Sequence, residues 1–500
     1  MIDVLIVGAG PAGSVLASDL VRRGVEVRLI DAADGAFAGS RAKGIQPRTQ
    51  EVLDDLGVLD AALAAGGRYP WMAAHVGRLT LSWPMQRSHR RSAATPYPNI
   101  LLLPQRETDR ILHDRLRQQG LQIEFGTTLT GLRQDADEVV ATVGGETIHT
   151  RYLVGADGAA STTRKQLSIG FVGSTDETDR MIVADAEIEG LARHRWHVWP
   201  RAKGRFLALC PLPGAEQFQI MLRLRPGEDP DVSEAGLAEA VRTITGDPAL
   251  RLRGVTWASV WRPNIRIAER YRAGRVLLAG DAAHVHPPAG AQGLNTGVQD
   301  SYNLGWKLGQ VLAGAPDALL DTYETERRPV AARVLGVSTQ LYAGIEKRRL
   351  SSLRRGDEER QLTLSYHGTP LAPVSSARTG RLRVGDRAPD GHDGSERLFD
   401  AFRGPHFTLL AFDCAPSVDW PTAGAPLRTL TISAGARQLR RDYGITTPTQ
   451  ILVRPDGYIA RVLDRGPDGG DDQALATLTP AVVTRGGSPR SGGTGRRARR

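Results

Sequence analysis

The sequence predicts a multidomain protein of mixed α/β and α+β class, on three observations. The chain opens with a Rossmann-type strand–turn–helix–strand unit, "VLIVGAGPAGSVLASDLVRRGVEVRLIDA". Between Thr175 and Tyr271, apolar and polar residues alternate in runs such as "RFLALCPL", which is typical of antiparallel strands. A third α/β segment begins near Val384, and 500 residues are too many for one core.

The first unit predicts a dinucleotide site. A strand over Val4–Val7 leads into a GxGxxG turn, whose glycines are Gly8, Gly10 and Gly13. Gly8 permits the tight turn, Gly10 lets the backbone approach a pyrophosphate, and Gly13 lets the helix pack closely on the strand. The helix N-terminus adds free N–H groups for that pyrophosphate. Asp31 ends the next strand, at the position where a carboxylate accepts hydrogen bonds from a ribose.

Further elements follow in order. Helices are predicted over 47–57 and 106–120, and short strands near 122–125, 139–143 and 152–154. Residues 318–354 are expected to be largely helical, and 375–383, rich in Ser, Gly and Arg, to be a linker.

A second glycine turn decides between NAD and FAD. The segment "GRVLLAGDAAHVHPPAGAQGLNTGVQDSYNLGWKL" begins at Gly274 and again predicts strand, turn and helix, with the helix starting at about Gly297. An NAD dehydrogenase needs one such turn, whereas FAD extends well past its adenosine and has a use for two. We therefore expect the Asp281 carboxylate to bind a ribityl hydroxyl of FAD. The start of the helix would face the flavin pyrimidine edge with Gly293, Leu294 and Asn295.

At these residues the chain resembles the class A FAD-dependent aromatic monooxygenases, in the branch of aromatic polyketide hydroxylases and rifampicin monooxygenase. Three motifs occur in the order typical of that family: GxGxxG, a DG motif in "GADGAASTTR" with Asp157 and Arg164, and a GD motif with Gly280 and Asp281. The segments "SRAKGIQPRTQEVL" and "LPQRETDRIL" match as well. The resemblance covers most of residues 1–345.

The resemblance implies further cofactor contacts. Arg41 and Gln46 would lie against the pyrophosphate or the flavin, Gln105 would contact the ribityl chain, and the backbone near Leu129 would touch the adenine. Asp157 would serve both FAD and a passing NADPH.

The resemblance also implies catalytic positions. Pro287 and Pro288 would lie over the reactive C4a face of the flavin, although two prolines also simply stiffen a turn. His284 and His286 are alternative acid/base groups.

The implied reaction is that of a flavoprotein oxidoreductase. NADPH or NADH would dock transiently and reduce FAD, and O2 would then form a C4a-hydroperoxyflavin. That intermediate would insert one oxygen atom into a polycyclic aromatic substrate of the polyketide type, by hydroxylation, in antibiotic biosynthesis or related secondary metabolism. Baeyer–Villiger or epoxidising insertion, an oxygen-independent FAD reductase and a flavin-binding sensor remain alternatives.

Substrate contacts are expected outside the cofactor motifs. The candidates are Trp71, Trp83, Met221 and Arg223. Aromatic rings suit a flat multi-ring ligand, and an arginine suits a phenolate or quinone oxygen. Packing within the sheet and a solvated charge remain the alternatives for these residues.

The C-terminal segment resembles the thioredoxin-like domain appended to phenol hydroxylases. Cys414 stands alone there, and disulfide exchange of the thioredoxin type needs CxxC. The predicted division of the chain is an FAD-binding domain of 1–70, 99–176 and 272–345, a substrate-binding domain of 71–98 and 177–271, a helical end and linker of 346–383, the thioredoxin-like domain of 384–484, and a disordered basic tail of 485–500.

Composition narrows the class of partner. The net charge is +9, but the last sixteen residues hold six arginines and no acid, which leaves +3 for the other 484 residues. That balance does not favour nucleic acid as a partner. Two cysteines are too few for a disulfide framework or a zinc site, and no apolar run is long enough to span a membrane. We expect a cytoplasmic, metal-free enzyme, and its oligomeric state stays open.

Overall fold

The structure is a computed structural model that describes residues 1–202, 205–286, 291–346, 358–464 and 477–480. Up to residue 176 its helices and strands are, in chain order, β1 (Ile2–Val7), α1 (Pro11–Val21), β2 (Val27–Ile30), β3 (Gly44–Ile45), α2 (Pro47–Asp55), α3 (Leu59–Ala65), β4 (Gly67–Arg68), β5 (Trp71–Val76), β6 (Leu79–Trp83), β7 (Leu101–Leu102), α4 (Gln105–Gln118), β8 (Ile123–Glu124), β9 (Leu129–Gln134), β10 (Val139–Val143), β11 (Glu146–Gly155), α5 (Thr162–Gln166) and β12 (Phe171–Thr175).

The following elements extend to residue 346: β13 (Met181–Glu189), β14 (Arg195–Ala202), β15 (Arg205–Pro211), β16 (Gln217–Arg223), α6 (Glu234–Thr245), β17 (Arg251–Trp261), β18 (Asn264–Ala268), β19 (Arg272–Ala273), β20 (Val276–Leu278), β21 (His284–Val285), α7 (Gly293–Leu312) and α8 (Asp321–Glu346). The last elements are β22 (Arg378–Thr379), β23 (Leu382–Arg383), β24 (His392–Asp393), β25 (Glu396–Arg397), α9 (Leu398–Phe402), β26 (Phe407–Phe412), β27 (Leu427–Ile432), α10 (Arg437–Tyr443), β28 (Thr449–Val453) and β29 (Ile459–Asp464).

An eight-stranded sheet organises the N-terminal part of the molecule. Its main path is β19-β20-β11-β1-β2-β8, and the neighbours from β20 to β8 all run parallel. From Val4 to Val7, β1 is apolar because both of its faces are covered: Val4 and Ile6 pack in the cluster that holds α1 and α7, while Leu5 and Val7 pack with β9 and β10. These parallel strands therefore end at one edge of the sheet, directly before the predicted glycine turns and Asp31.

Helix α7 begins four residues earlier than predicted. It starts at Gly293 rather than Gly297, because the Asn295 side chain donates to the Ala291 carbonyl oxygen at 2.7 Å and the Thr296 N–H donates to the Gln292 carbonyl at 2.9 Å. Gly293, which indicates a turn in the sequence, is thus already helical.

A seven-stranded sheet lies beside the first, in the order β17-β13-β16-β15-β14-β5-β6. It joins strands from 71–83 with strands from 181–261, the two segments predicted to form the substrate domain. All pairs are antiparallel except β14 with β5, which run parallel. Alternation of apolar and polar residues indicates a strand but not the direction of its partner, so the sequence could not reveal that pair.

The two faces of this second sheet differ. Ile182, Leu209 and Ile220 lie on the face covered by α6, which we call the far face. The opposite side, here the near face, carries Met72, Trp196 and other residues that pack against the N-terminal part of the chain. The near face therefore packs on segments outside its own sheet, among them Ile100 and Ala291.

The C-terminal part forms a four-stranded sheet in the order β27-β26-β28-β29, with only β26 and β27 parallel. Helices α9 and α10 pack on it through one apolar cluster. Residues 378–383, within the predicted linker, form a β22–β23 hairpin, and the predicted basic tail lies outside the described residues. Whether this part is thioredoxin-like stays a prediction. Within the described residues, no helix is both long and apolar enough to cross a membrane.

Candidate active site

Three separated glycine motifs meet at the carboxyl edge of the parallel sheet. A Cβ added to Gly8 would lie 2.9 Å from the Asp157 Cα, which places the first turn against the DG motif. A Cβ added to Gly280 would lie 2.9 Å from the Ala12 Cβ, which places the GD motif against the first turn of α1. Gly297 completes the contact, because its own Cβ would lie 3.0 Å from the Gly280 Cα. The two glycine turns, which lie in distant parts of the sequence, thus form one site.

The first turn shows why it contains glycine. Gly8 has a φ of 104°, and a Cβ there would be 2.4 Å from the Ala156 oxygen. A Cβ on Gly13 would be 1.8 Å from the Gly8 carbonyl oxygen, so only glycine lets α1 approach the strand this closely. A Cβ on Gly10, in contrast, would meet no atom within 4 Å. Gly10 faces open space at the N-terminus of α1, as a residue that lets a pyrophosphate approach the backbone must.

Asp31 lies beside this turn, as predicted from its position after β2. One carboxylate oxygen accepts the Ala9 N–H at 2.7 Å and the other accepts the Ala33 N–H at 2.9 Å. The carboxylate therefore orders the glycine turn, and its remaining lone pairs are available to ribose hydroxyls. Leu129 is close by, since the Thr127 N–H donates to the Asp31 carbonyl oxygen at 2.9 Å. Leu129 as a whole is buried, so the contact of its backbone with an adenine stays a prediction.

In the DG motif, Asp157 is hydrogen-bonded to the first turn of α5, whose N-cap residue is Ser161. Its carboxylate accepts the Ser161 hydroxyl at 2.6 Å and the Thr163 N–H at 2.9 Å. Arg164 then ties this motif to the GD turn, donating to the Ala282 carbonyl oxygen at 2.9 Å. The Arg164 guanidinium also lies over the Phe171 ring, 3.8 Å from its centroid.

Asp281 lies in the GD turn, a single 3-10 turn over Gly280–Ala282. Protein surrounds the carboxyl closely and this burial raises its pKa, although His284 and Arg41 act in the opposite direction. Solvent nevertheless reaches the residue, which is exposed. A group that is crowded yet accessible lines a cleft, and an Asp carboxylate there can accept hydrogen bonds from ribityl hydroxyls.

Gln46 and Asn295 meet across the cleft. The Asn295 side-chain oxygen accepts the Gln46 N–H at 2.7 Å, and its nitrogen donates to the Gly44 carbonyl oxygen, also at 2.7 Å. This pair fixes the segment that contains Arg41 against the start of α7. Arg41 itself is exposed and close enough to Asp281 to influence its pKa.

Gln105 is the first residue of α4, and its N–H donates to the Ala42 carbonyl oxygen at 2.8 Å. One helical turn later, Asp109 is buried, and burial raises the pKa of its carboxyl to about 7, helped by the charge of Asp31. Sequence reasoning missed Asp109; the available signal was an acid on the apolar face of an otherwise amphipathic helix.

These residues fit FAD. A helix N-terminus with open space before it suits the pyrophosphate, and Asp31 lies where an adenosine ribose would need a carboxylate. Asp281 lines the cleft on the side where a longer cofactor would continue toward α7. The second carboxylate, with its own glycine turn, distinguishes this cradle from one for NAD.

The substrate candidates separate into two groups. Trp83 and Met221 lie together on the near face, in a cluster that also includes Ala291 next to α7. Trp71 does not join them. Met72 is the register partner of Trp83, so Trp71 points to the opposite face, where it is 57 % exposed. The position of Trp71 does not support the predicted substrate contact.

Arg223 lies on the near face as well, but it is engaged. Its Nε donates to an Asp179 carboxylate oxygen at 2.6 Å. A role in holding a substrate oxygen would require that ion pair to open, so the structure does not favour it.

The predicted catalytic groups are placed only in part. Pro287 and Pro288 lie outside the described residues. The His284 Nε2 is 2.5 Å from an Asp300 carboxylate oxygen, with both side chains fully buried. Burial lowers the pKa of His286 to about 3, so His286 is neutral near pH 7 and has no imidazolium proton to donate.

Asp300 is a central residue that the sequence did not indicate. One of its oxygens accepts from His284 and from the Gly280 N–H at 3.3 Å, and the other accepts the Arg327 Nε–H at 2.7 Å. Burial alone would raise the pKa of Asp300, yet His284 and Arg327 together lower it. The pair of charges on α7 and α8 therefore holds the GD turn in place.

The comparisons with known proteins agree with this geometry. The family model described as "FAD binding domain" matches residues 1–338. The chain is 43 % identical over 479 residues to a flavin-dependent monooxygenase of Mycobacteroides abscessus, covering 93 % of this chain and 97 % of the relative. It is 34 % identical over 495 residues to the rifampicin monooxygenase of Rhodococcus hoagii, covering 93 % and 96 %. A crystal structure of aklavinone-11 hydroxylase with FAD and aklavinone superposes with a TM-score of 0.79 at 28 % identity, covering 95 % of this chain and 98 % of that one.

Proposed function

Because the chain belongs to the FAD-dependent monooxygenases, we propose that it hydroxylates a polycyclic aromatic substrate of the polyketide type. The protein binds FAD and is a flavin-dependent monooxygenase; the substrate class and the hydroxylation outcome are the proposal. The described residues contain one GxGxxG βαβ unit, and FAD would fill it. NADPH or NADH would therefore have no such unit of its own and would dock transiently.

The near-face cluster is the observation that carries the proposal. Trp83, Trp196 and Met221 belong to one partly buried apolar cluster with Ala291, next to the helix predicted to face the flavin pyrimidine edge. Large flat rings bind through such surfaces. The compounds named for two similar proteins are of a size that fits this proposal, because rifampicin and aklavinone both contain several rings.

When bound, FAD supplies the redox chemistry with O2, and the chain's residues prepare the site. The open space at Gly10 and the α1 N-terminus receive the pyrophosphate, while Asp31 and Asp281 hold hydroxyls at two points along the cofactor. The near-face cluster excludes water and orients the substrate ring. Asp300 keeps the GD turn from shifting under the cofactor.

The proposal is tested by NADPH and NADH oxidation in air with the FAD-loaded protein. Naphthols, hydroxyanthraquinones, aklavinone and rifampicin form the substrate panel, and mass spectrometry weighs the products. We expect a multi-ring compound to stimulate oxidation and yield a product one oxygen atom heavier. Product NMR then separates a new phenol from the ester or lactone of Baeyer–Villiger insertion. Oxidation that no compound stimulates, without an oxygenated product, would refute the proposed function.

A matched pair of variants tests the location of the substrate. Trp83→Ala removes a near-face ring and should raise KM for the active compound by about tenfold or more. Trp71→Ala removes an exposed ring on the opposite face and should leave KM unchanged. Equal effects of the two substitutions would show that the substrate does not bind on the near face.

A further inference from the structure

A buried lysine lies between the cofactor cradle and the near face. Lys43 is only 8 % exposed, and its ammonium lies 4.3 Å from the centroid of the Trp196 ring. Its Nζ donates to the Gln219 side-chain oxygen, and the Cys210 thiol is its second polar neighbour. An ammonium has three N–H donors, so beyond these two neighbours and the Trp196 ring face one donor has no oxygen, nitrogen or sulfur acceptor among the described residues.

The carboxylate that compensates the Lys43 charge, that of Asp185, forms no direct ion pair with it. The Gln219 side-chain nitrogen donates to the Ser40 hydroxyl at 2.8 Å, and that hydroxyl donates to Asp185. Lys43 and Asp185 are therefore linked through two neutral side chains rather than by a direct ion pair. Burial lowers the pKa of Lys43 and raises that of Asp185, which is what two incompletely compensated charges undergo.

The backbone places Lys43 next to the flavin end of the cradle. The carbonyl oxygen of its neighbour Gly44 accepts from the Asn295 side chain at 2.7 Å, at the start of α7. A Cβ on Gly44 would lie 2.6 Å from the Ala291 Cβ. From this position the Lys43 side chain reaches Gln219 and Trp196 on the near face.

Two further donors on the near face lack acceptors. The indole Nε1 atoms of Trp83 and Trp196 are buried, and neither has a hydrogen-bond partner among the described residues. Buried donors without acceptors are costly and are normally satisfied by protein, water or ligand. In the part of the chain that the structure describes, the surface around Lys43 thus presents aromatic rings and two unpaired indole donors, and an unpaired acceptor, Asp185 Oδ2, lies beyond Gln219 and Ser40.

We propose that Lys43 binds an acidic oxygen of the substrate, so that the enzyme selects polycyclic phenols or enols, held as oxyanions, over neutral arenes and ethers. The rings would lie on Trp196 and its neighbours, and the indole N–H groups would satisfy further oxygens on the same molecule. This inference rests on the proposed function only in taking the near-face ligand to be the oxygenation substrate.

The test is ligand binding to the oxidised, FAD-loaded enzyme, with no turnover required. The probes are 1,8-dihydroxyanthraquinone and 1,8-dimethoxyanthraquinone, which differ in their acidic oxygens and share a ring system. Visible difference spectra give both dissociation constants for the wild type, Lys43→Met, Lys43→Arg and the control Lys165→Met, which removes an exposed lysine of α5.

We expect the wild type and K165M to bind the dihydroxy compound about tenfold more tightly than the dimethoxy compound. K43M should lose that preference through weaker binding of the dihydroxy compound alone, and K43R should keep most of it. An equal loss for both compounds in K43M, an unchanged preference, or a wild type that binds neither would overturn the inference.

These outcomes are separate from those of the proposed function. A preference abolished by K43M in a protein that never oxygenates a substrate would support the lysine and refute the monooxygenation of this class of compound. If the enzyme oxygenates polycyclic substrates and K43M keeps the preference for the phenol, the proposed function is supported and the role of Lys43 is refuted.

Discussion

Replacing Gly10 with alanine should separate cofactor binding from folding. Gly10 has φ −68° and ψ −176°, an extended backbone that any residue adopts, so Ala is not strained there. The new Cβ meets no protein atom within 4 Å. Alanine also reduces the conformational freedom of the unfolded chain, which stabilises a protein by about 0.4–1 kcal/mol at compatible sites. Because Gly10 is also the N-cap of α1, where alanine is disfavoured, the two effects offset each other and the apoprotein should melt close to the temperature of the wild type.

The affinity for FAD, in contrast, should fall in Gly10→Ala. The methyl group would occupy the space through which the pyrophosphate approaches the N-terminus of α1. Overpacking of a filled site costs about 1–3 kcal/mol, and each hydrogen bond lost with it about 1 kcal/mol. Gly10→Ala should therefore weaken FAD binding by about 2–3 kcal/mol, roughly a hundredfold.

Gly13→Ala is the contrasting variant. Its Cβ would lie 1.8 Å from the Gly8 carbonyl oxygen, so α1 must move away from β1 even without cofactor. The apoprotein itself should lose about 2 kcal/mol or more of its unfolding free energy.

Thermal unfolding of the apoproteins by circular dichroism, and FAD titration by quenching of flavin fluorescence, measure both quantities. A Gly10→Ala protein that binds FAD like the wild type would refute the placement of the pyrophosphate. A Gly13→Ala apoprotein as stable as the wild type would refute the close packing of α1.

Three other perturbations have defined outcomes. Asp281→Asn should weaken FAD binding by about 1.5–3 kcal/mol, as expected for a charged hydrogen bond, and full flavin occupancy in the purified variant would contradict its ribityl contact. Asp456→Asn should lower the unfolding free energy by about 3 kcal/mol, because the buried Arg454 loses its 2.6 Å partner and must share Glu326, its remaining carboxylate, with Lys307. Asp413→Asn, in an exposed ion pair, is the control and should have a much smaller effect. Burial opposes ionisation of Glu326, but Arg454 and Lys307 together lower its pKa from 4.5 to about 2. The folded pKa is depressed, so this contribution to stability is full above pH 4.5 and is lost as the pH falls toward 2; denaturant titrations should show a flatter decline for Glu326→Gln over that window.

The sequence was most informative where local spacing determines geometry. Gly8, Gly10 and Gly13 could be given separate roles from the sequence alone, because a strand, a tight turn and a helix that follow one another directly constrain one another. The same reasoning placed Asp31 and Asp281 at strand ends, and parallel strands bring their carboxyl ends to one edge. The start of α7 was predicted late because glycines were interpreted only as turn residues.

Contacts between distant elements could not be predicted in the same way. Asp300 and Arg327 lie on different helices, and neither has a local signal for an ion pair. In sequence, Trp71 and Trp83 give the same signal, an aromatic residue outside the cofactor motifs. Only the register of Met72 with Trp83 shows that the two rings lie on opposite faces. The surroundings of Lys43 could not be predicted either, because they come from a sheet whose strands β13 to β17 lie much later in the chain.

The C-terminal part shows the same limit. The segment "RPDG" in sequence indicates an ordinary turn. In the structure, the Asp456 carboxylate in that turn accepts the Trp306 indole N–H and the Asn303 amide, each at 3.1 Å, while the Pro455 carbonyl oxygen accepts the Tyr302 hydroxyl at 3.0 Å. The turn therefore anchors the C-terminal part to α7, the helix that begins at the active site.

The most direct measurement is turnover under ¹⁸O2 with the compound from the panel that best stimulates NADPH oxidation, followed by mass spectrometry of the product. The account predicts one ¹⁸O atom per product molecule, on a carbon of the aromatic ring, with one NADPH consumed for each product formed. Product that carries oxygen only from water, or NADPH oxidation whose sole oxygen product is hydrogen peroxide, would contradict it.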